Sequence, residues 1–251
     1  MLINEFSDNL SKYKLPEEYD ETYKNYTADL DFIEAHLGEN KSSIIELACG
    51  TGRLAIPLAK RGHTVYGVDI DQGMLEFAQK KARSEDVDIQ LSVQDCTQLN
   101  LPIKTDFIYM TGNSFQHFLT NESQDALFKS VKKHLNPGGE FLFDTRNPIL
   151  HELAKDEIYE ESLEKNGETF HVVNKENYDP LTQILHCTST YTSTQNEYID
   201  SINLRYTYPL EMKRLLEQHG FELIHIYGSW TKAVFDANSI SMVIHARVKE
   251  V

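Results

Sequence analysis

The sequence predicts an α/β fold built on a mostly parallel sheet, and three observations carry that prediction. Short apolar runs alternate with segments of helical periodicity between Ile44 and Phe143. A glycine-bearing turn, Gly50-Thr51-Gly52, follows the first apolar run and leads into a helical pattern, as a strand-to-helix crossover requires. After a region of different texture, a helix and two further apolar runs close the chain and extend the same pattern. At 251 residues and 40% hydrophobic, the chain suits one domain of this kind with an insertion better than two full domains.

The elements follow in order. Between Leu15 and Leu37 the apolar and aromatic positions Tyr19, Tyr23, Tyr26, Leu30, Ile33 and Leu37 are spaced as on one or two helices, which Gly38 stops. Ile44, Ile45 and Leu47 form the first strand, and a helix runs from the glycine turn to Arg61 with Pro57 in its opening turns, where a lost backbone donor costs least. Strands at Thr64 to Val68, Ile89 to Val93 and Phe107 to Met110 alternate with a helix from Gly73 to Arg83. Asn121 with Gln124 reads as the capped start of a helix ending near Leu135. The turn Asn136-Pro137-Gly138-Gly139 then introduces a fifth strand at Glu140 to Phe143. From Glu168 to Tyr208 the texture changes to β-branched and aromatic runs separated by Asp179-Pro180 and Gln195-Asn196, the signature of an antiparallel meander. Pro209 opens a helix that Gly220 closes, and strands at Phe221 to Tyr227 and Ile240 to Val248 complete the chain.

The formal net charge of −15 disfavours nucleic-acid phosphates and anionic lipid surfaces as partners, since no basic patch interrupts it. The acid clusters Glu17 to Glu21 and Asp156 to Glu161 read as solvated faces. Cys49, Cys96 and Cys187 have neither paired nor metal-ligand spacing, which suits reduced thiols and a cytoplasmic protein. No leader-like segment opens the sequence and no apolar run reaches membrane-spanning length.

The chemistry concentrates in Ile44 to Asp71, IIELACGTGRLAIPLAKRGHTVYGVDID. Glycine suits backbone that must touch a ligand, and Asp69 ends the second strand about 20 residues after the turn, where a carboxylate reaches ribose hydroxyls. Glu46, at the end of the first strand, faces the expected ligand crevice and needs a cationic partner there. That argues against an anionic pyrophosphate and for S-adenosylmethionine, whose ammonium and sulfonium match an acid. A nicotinamide-dependent oxidoreductase shares the glycine turn but calls for an apolar strand end and a third glycine, where this chain has Ala55. A module that binds the nucleoside without catalysing transfer is the other alternative.

With ELACGTGR, Asp69 and Asp95 in this order, the chain resembles the class I, seven-stranded Rossmann-like S-adenosylmethionine-dependent methyltransferases of small-molecule type, over nearly its whole length. The resemblance implies a three-layer fold with a C-terminal antiparallel hairpin and an inserted meander. It divides the single domain into a helical cap (1–37), a cofactor-binding core (38–147), an insert that serves as lid or homodimer surface (148–208) and the end of the core sheet (209–251). Glu46, Ala48, Gly50 and Gly52 are expected around the methionine portion of the cofactor, Asp69 on the ribose, Ile70 and Met74 on the adenine, Asp95 on the adenine amino group and the Cys96 amide on the ring. Tyr19 is expected to fold over the cofactor, as a similar "YYD" region does in related enzymes, and Thr111 joins the cofactor set.

For catalysis the candidates are His117, in MTGNSFQHF, as a general base with a pKa near neutrality, and Tyr23. The absence of an Asn/Asp-Pro-Pro-Tyr motif there excludes exocyclic base nitrogens as the favoured target. Asp144, Arg146 and Asn147 follow strand five, but no converging carboxylates accompany them and no metal is expected. The expected reaction moves a methyl group by in-line displacement to a nucleophilic N or O of a small acceptor, leaving S-adenosylhomocysteine.

Overall fold

Alternating strands buried on both faces organise the main sheet. The computed structural model describes residues 9–10, 13–153, 156–165 and 167–249. Its strands are β1 (Ser43–Leu47), β2 (Thr64–Asp69), β3 (Gln90–Val93), β4 (Thr105–Met110), β5 (Leu135–Arg146), and later β10 (Phe221–Tyr227) and β11 (Ser241–Val248). They pair in the order β10-β11-β5-β4-β1-β2-β3, with β11 antiparallel to both neighbours and the rest parallel. Ile45, Leu47, Ile108, Met110, Phe141 and Phe143 face one side of the sheet. Ile44, Tyr109, Leu142 and Val243 face the other. Period-2 alternation of apolar side chains on two buried faces explains why these strands read as continuous apolar runs.

Helices α1 (Pro16–Tyr23), α2 (Ala28–Leu37), α3 (Ala55–Lys60), α4 (Gln72–Ser84), α5 (Asn121–His134), the short α6 (Leu150–Leu153) and α7 (Pro209–Gln218) accompany the sheet. Gly38 ends α2 with φ 64° and Pro57 is the third residue of α3, each where local chemistry places it. The cap expected over 1–37 is described from Tyr13 onward, together with Asn9 and Leu10; residues 1–8, 11 and 12 lie outside the described residues.

Three local expectations shift. The N-cap of α5 is Thr120, paired with Ser123 in a capping box, so the helix signal sits one residue before Asn121 and Gln124 instead bonds Thr207 and the Phe118 carbonyl. Strand β5 begins at Leu135, because the Asn136 to Gly139 turn is absorbed as an irregularity in its pairing with β4. The meander expected from Glu168 starts earlier: the exposed Glu157–Lys165 forms β6, which pairs with β7 (Glu168–Asp179), followed by β8 (Ile184–Thr192) and β9 (Glu197–Arg205) in a second, four-stranded antiparallel sheet. An exposed edge strand carries charge without penalty, so composition alone hides the strand.

Strand order reverses direction at β1, which has β4 on one side and β2 on the other. A crevice opens beyond the C-terminal ends of strands at such a reversal, and both candidate motifs end there.

Candidate active site

Three left-handed residues shape the floor: Ala48 (φ 52°), Gly50 (φ 52°) and Gly52 (φ 70°) alternate along the turn after β1. A Cβ on Gly50 would meet nothing within 4 Å, so bare backbone faces open space. On Gly52 it would lie 3.4 Å from Ala78 and Ile56, so this glycine packs the turn against its neighbours instead of lining the crevice. Asp69, 9% exposed at the tip of β2, accepts from the Gly50 amide at 2.8 Å and from the Asp71 amide at 2.9 Å. Both carboxylate oxygens are therefore aimed before any ligand arrives. Burial raises its pKa, against these two amides, which favour the charged form. Asp71 caps α4 through the Met74 amide, and Asp95 holds the next turn by accepting from the Thr97 amide, each at 2.8 Å.

Above this floor lies a cavity of about 500 Å³. Of the residues expected from sequence, Tyr19, Tyr23, Ala48, Gly50, Asp69, Ile70, Met74, Asp95, Cys96 and His117 line it together. Glu46, Gly52 and Thr111 do not. Thr111 is buried at the β4 end. Glu46 lies beneath the floor, 2% exposed, and accepts from the Tyr109 hydroxyl at 3.0 Å. Desolvation lifts its pKa to about 8, more than the Tyr109 bond and the Arg53 charge lower it, so at neutral pH this acid carries its proton. The expectation of an ionised Glu46 facing the crevice is corrected accordingly: a carboxyl group with almost no water contact keeps its charge only with a cation bonded to it, and the nearest one is committed elsewhere.

That cation is Arg53, which follows Gly52. It donates from Nη1 to Asp29 Oδ1 at 3.0 Å and to the Tyr26 carbonyl at 2.8 Å, and from Nη2 to Asp29 Oδ2. Asp29, 1% exposed on α2, thereby ties the cap to the glycine turn. A second tie comes from Asp20 on α1, which accepts from Thr51 Oγ1 at 2.8 Å and Lys81 Nζ at 2.7 Å. Between these ties Tyr13, Tyr19, Tyr23 and Tyr26 line the cavity, with Tyr19 and Tyr23 ring centroids 4.8 Å apart.

His117 is held on both ring nitrogens. Asn9 is clamped by the Asn203 backbone of β9, accepting from its amide at 2.6 Å and donating to its carbonyl at 2.8 Å. Its remaining amide hydrogen points to His117 Nδ1 at 3.3 Å, which assigns the proton to Nε2 and directs it to the Tyr13 oxygen at 3.1 Å. Burial lowers the pKa of His117 to about 4. The ring is thus neutral, and its one lone pair is engaged. On the opposite wall Asp144 accepts from the Asn113 amide at 2.9 Å and from Trp230 Nε1 at 3.0 Å, and desolvation pushes its pKa up to about 6.

Arg53, Asp29, Tyr13, Asn9 and Trp230 are the site residues that sequence reasoning passed over. Arg53 was legible as the cation next to the glycine turn, and Tyr13 as one of the cap tyrosines. Asn9 and Trp230 gave no local signal, since their partners lie 194 and 86 residues away.

A family model described as a methyltransferase domain matches residues 44–139, the stretch that holds the glycine turn, Asp69, Asp95 and His117. The putative methyltransferase YqeM of Bacillus subtilis (strain 168) is 28% identical over 239 residues, 91% of this chain and 94% of that protein. Residues 44–139 thus carry a methyltransferase domain, and the chain is an S-adenosylmethionine-dependent methyltransferase. Solved structures share the methyltransferase's fold. The S-adenosylmethionine-dependent methyltransferase of Clostridium acetobutylicum ATCC 824 superposes with TM-score 0.79 at 19% identity, covering 93% of this chain and 98% of that one. S-adenosylmethionine-bound CalS10 from Micromonospora echinaspora, described as an amino pentose methyltransferase, gives 0.70 at 14% identity over 93% and 96%. The cavity's lining suits such a cofactor: a Cβ on Gly50 would meet nothing within 4 Å, the Asp69 carboxylate is oriented, and Ile70, Met74 and Cys96 supply an apolar wall beside Asp95. Among the described residues no helix is long and apolar enough to cross a membrane.

Proposed function

We propose that the methyltransferase acts on a nucleophilic N or O of a small-molecule acceptor, an amine nitrogen above all. The observation that carries this is a single cavity joining the Asp69 end to an end lined by Tyr13, Asn113, Ser114 and His117, with no free base in the second. Asp69 would hold the ribose, Asp95 and Cys96 the adenine with Ile70 and Met74 against it, and the Ala48–Gly50 backbone the methionine portion beneath Tyr19. When bound, S-adenosylmethionine supplies a methyl group already activated on a sulfonium. The chain's residues then have to orient the acceptor and keep water away, which together are worth roughly 7–11 kcal/mol in near-attack geometry. His117, neutral and engaged, serves this reading as the support of Tyr13 rather than as the base. An amine acceptor needs no stronger base, because its nitrogen attacks with its own lone pair and releases its proton afterwards to water or buffer. The solved neighbour described as an amino pentose methyltransferase supports the same acceptor class.

The cap and insert are read as the lid, with Tyr23 as an acceptor contact. The exposed β6 edge, with Ile158 67% and Leu163 42% exposed, is assigned to a homodimer that sedimentation velocity tests. Three buried free cysteines support a reducing, cytoplasmic setting. The decisive experiment is a turnover assay that detects S-adenosylhomocysteine across amino sugars, small amines and matched hydroxyl compounds. Product with amines supports the proposal. Tight product binding with no turnover on any small amine or hydroxyl compound refutes it.

A further inference from the structure

We propose that His36, Glu140 and His245 form a binding site for a divalent late first-row metal ion, zinc by preference, remote from the cavity. His36 closes α2, Glu140 lies in the opening half of β5 and His245 on β11, so three distant chain regions meet at the sheet end opposite the crevice. Their ligand atoms all lie within 4.8 Å of one another. His36 Nε2 hydrogen-bonds Glu140 Oε2 at 2.7 Å, and His245 Nε2 stands 3.0 Å from the same oxygen.

The second observation points to a ligand. His245 is 8% exposed and its Nε2, despite that short separation, makes no hydrogen bond, a costly condition for a buried ring nitrogen. Both ring nitrogens converge on one carboxylate oxygen, a spacing that a metal ion would occupy in place of the His36 hydrogen bond to Glu140.

The surroundings are arranged accordingly. Arg247 donates to Glu140 Oε1 from Nε at 3.1 Å and Nη2 at 2.6 Å, which fixes the carboxylate and leaves Oε2 to the two rings. His36 stacks on Phe107 with centroids 5.0 Å apart, and the two imidazoles meet edge to face at 85°. Two imidazoles and a carboxylate suit zinc, and donors at about 2.0–2.1 Å around a tetrahedral ion lie about 3.3 Å apart. The two Glu140 separations are shorter than this and all three ligand atoms lie within 4.8 Å of one another, so side-chain rotations admit the ion, with water completing its coordination. Side-chain exposures of 26%, 17% and 11% for His36, Glu140 and His245 leave a route in from solvent. Such an ion would staple the helical cap to the core.

The test uses tag-free full-length protein, stripped with chelator and titrated with Co²⁺ and then Zn²⁺. Expected are one equivalent of Co²⁺ with the intense visible absorption of a low-coordinate site, its displacement by Zn²⁺, and an unfolding midpoint raised by about 5–10 °C at zinc 100-fold above its Kd. H36Q and H245Q should each weaken binding at least 10-fold, while H171Q and H186Q, on exposed insert histidines, leave it unchanged. H36Q alters a partly exposed ring, so it keeps the test decisive if H245Q fails to fold. Absence of Co²⁺ binding by the wild type, or binding that H36Q leaves unchanged, overturns the proposal.

Discussion

Replacing Asp69 by Asn changes one atom and opposes one of two bonds. Its carboxylate accepts from the Gly50 amide at 2.8 Å and the Asp71 amide at 2.9 Å, one on each oxygen. Asparagine has one acceptor oxygen, so its NH₂ must face one of these amides, donor against donor. A hydrogen bond to a charged group is worth about 1.5–3 kcal/mol, and an affinity loss of that size is about 10- to 150-fold. Stability should fall less, because removing the charge also recovers part of the desolvation that raises the Asp69 pKa. We therefore expect Asp69→Asn to raise the Kd for S-adenosylhomocysteine at least 10-fold by calorimetry, with an unfolding midpoint only a few degrees lower. Binding within threefold of wild type by a folded variant would show that Asp69 does not organise the turn for the cofactor.

Glu46→Gln tests the buried acid. With a folded pKa of about 8 against an unfolded value near 4.5, the native state holds the extra proton between those pH values. Stability must then decline as pH rises through that window, by about 1.4 kcal/mol per unit, and level off above it. Relative to wild type, the glutamine variant should gain about 2–3 kcal/mol of stability between pH 6 and pH 8 in urea titrations; parallel pH profiles contradict a protonated Glu46. Arg53→Met leaves Asp29 buried and unpaired and should cost about 3–5 kcal/mol of unfolding free energy, which a denaturant midpoint reports directly. Ala48→Gly removes a Cβ from a left-handed residue and should raise stability by about 0.5–1 kcal/mol in scanning calorimetry, a loss being evidence that the strain is absent. His117→Gln should reduce turnover no more than Tyr13→Phe if the imidazole acts only by positioning that hydroxyl, whereas a larger loss with a pH profile stripped of its lower limb assigns it the base.

The chain's own order of residues determined the strand and helix sequence, the glycine turn, and the succession of Asp69 and Asp95, because period, turn chemistry and capping act within a few residues. Asp69 reaches Gly50 through one strand-helix-strand unit whose length is written in the sequence. Tertiary structure alone decided which acids are ionised and which lone pairs are free. Glu46 reads as an anion until the floor closes over it, and His117 reads as a base until Asn9, 108 residues away, occupies its Nδ1. The acid run at Glu157 joined a sheet because β7 was available to pair with it, and His36, Glu140 and His245 met only when the first helices docked on the far end of β5 and β11. Burial and partnership are sums over the whole fold, and no window of sequence contains them.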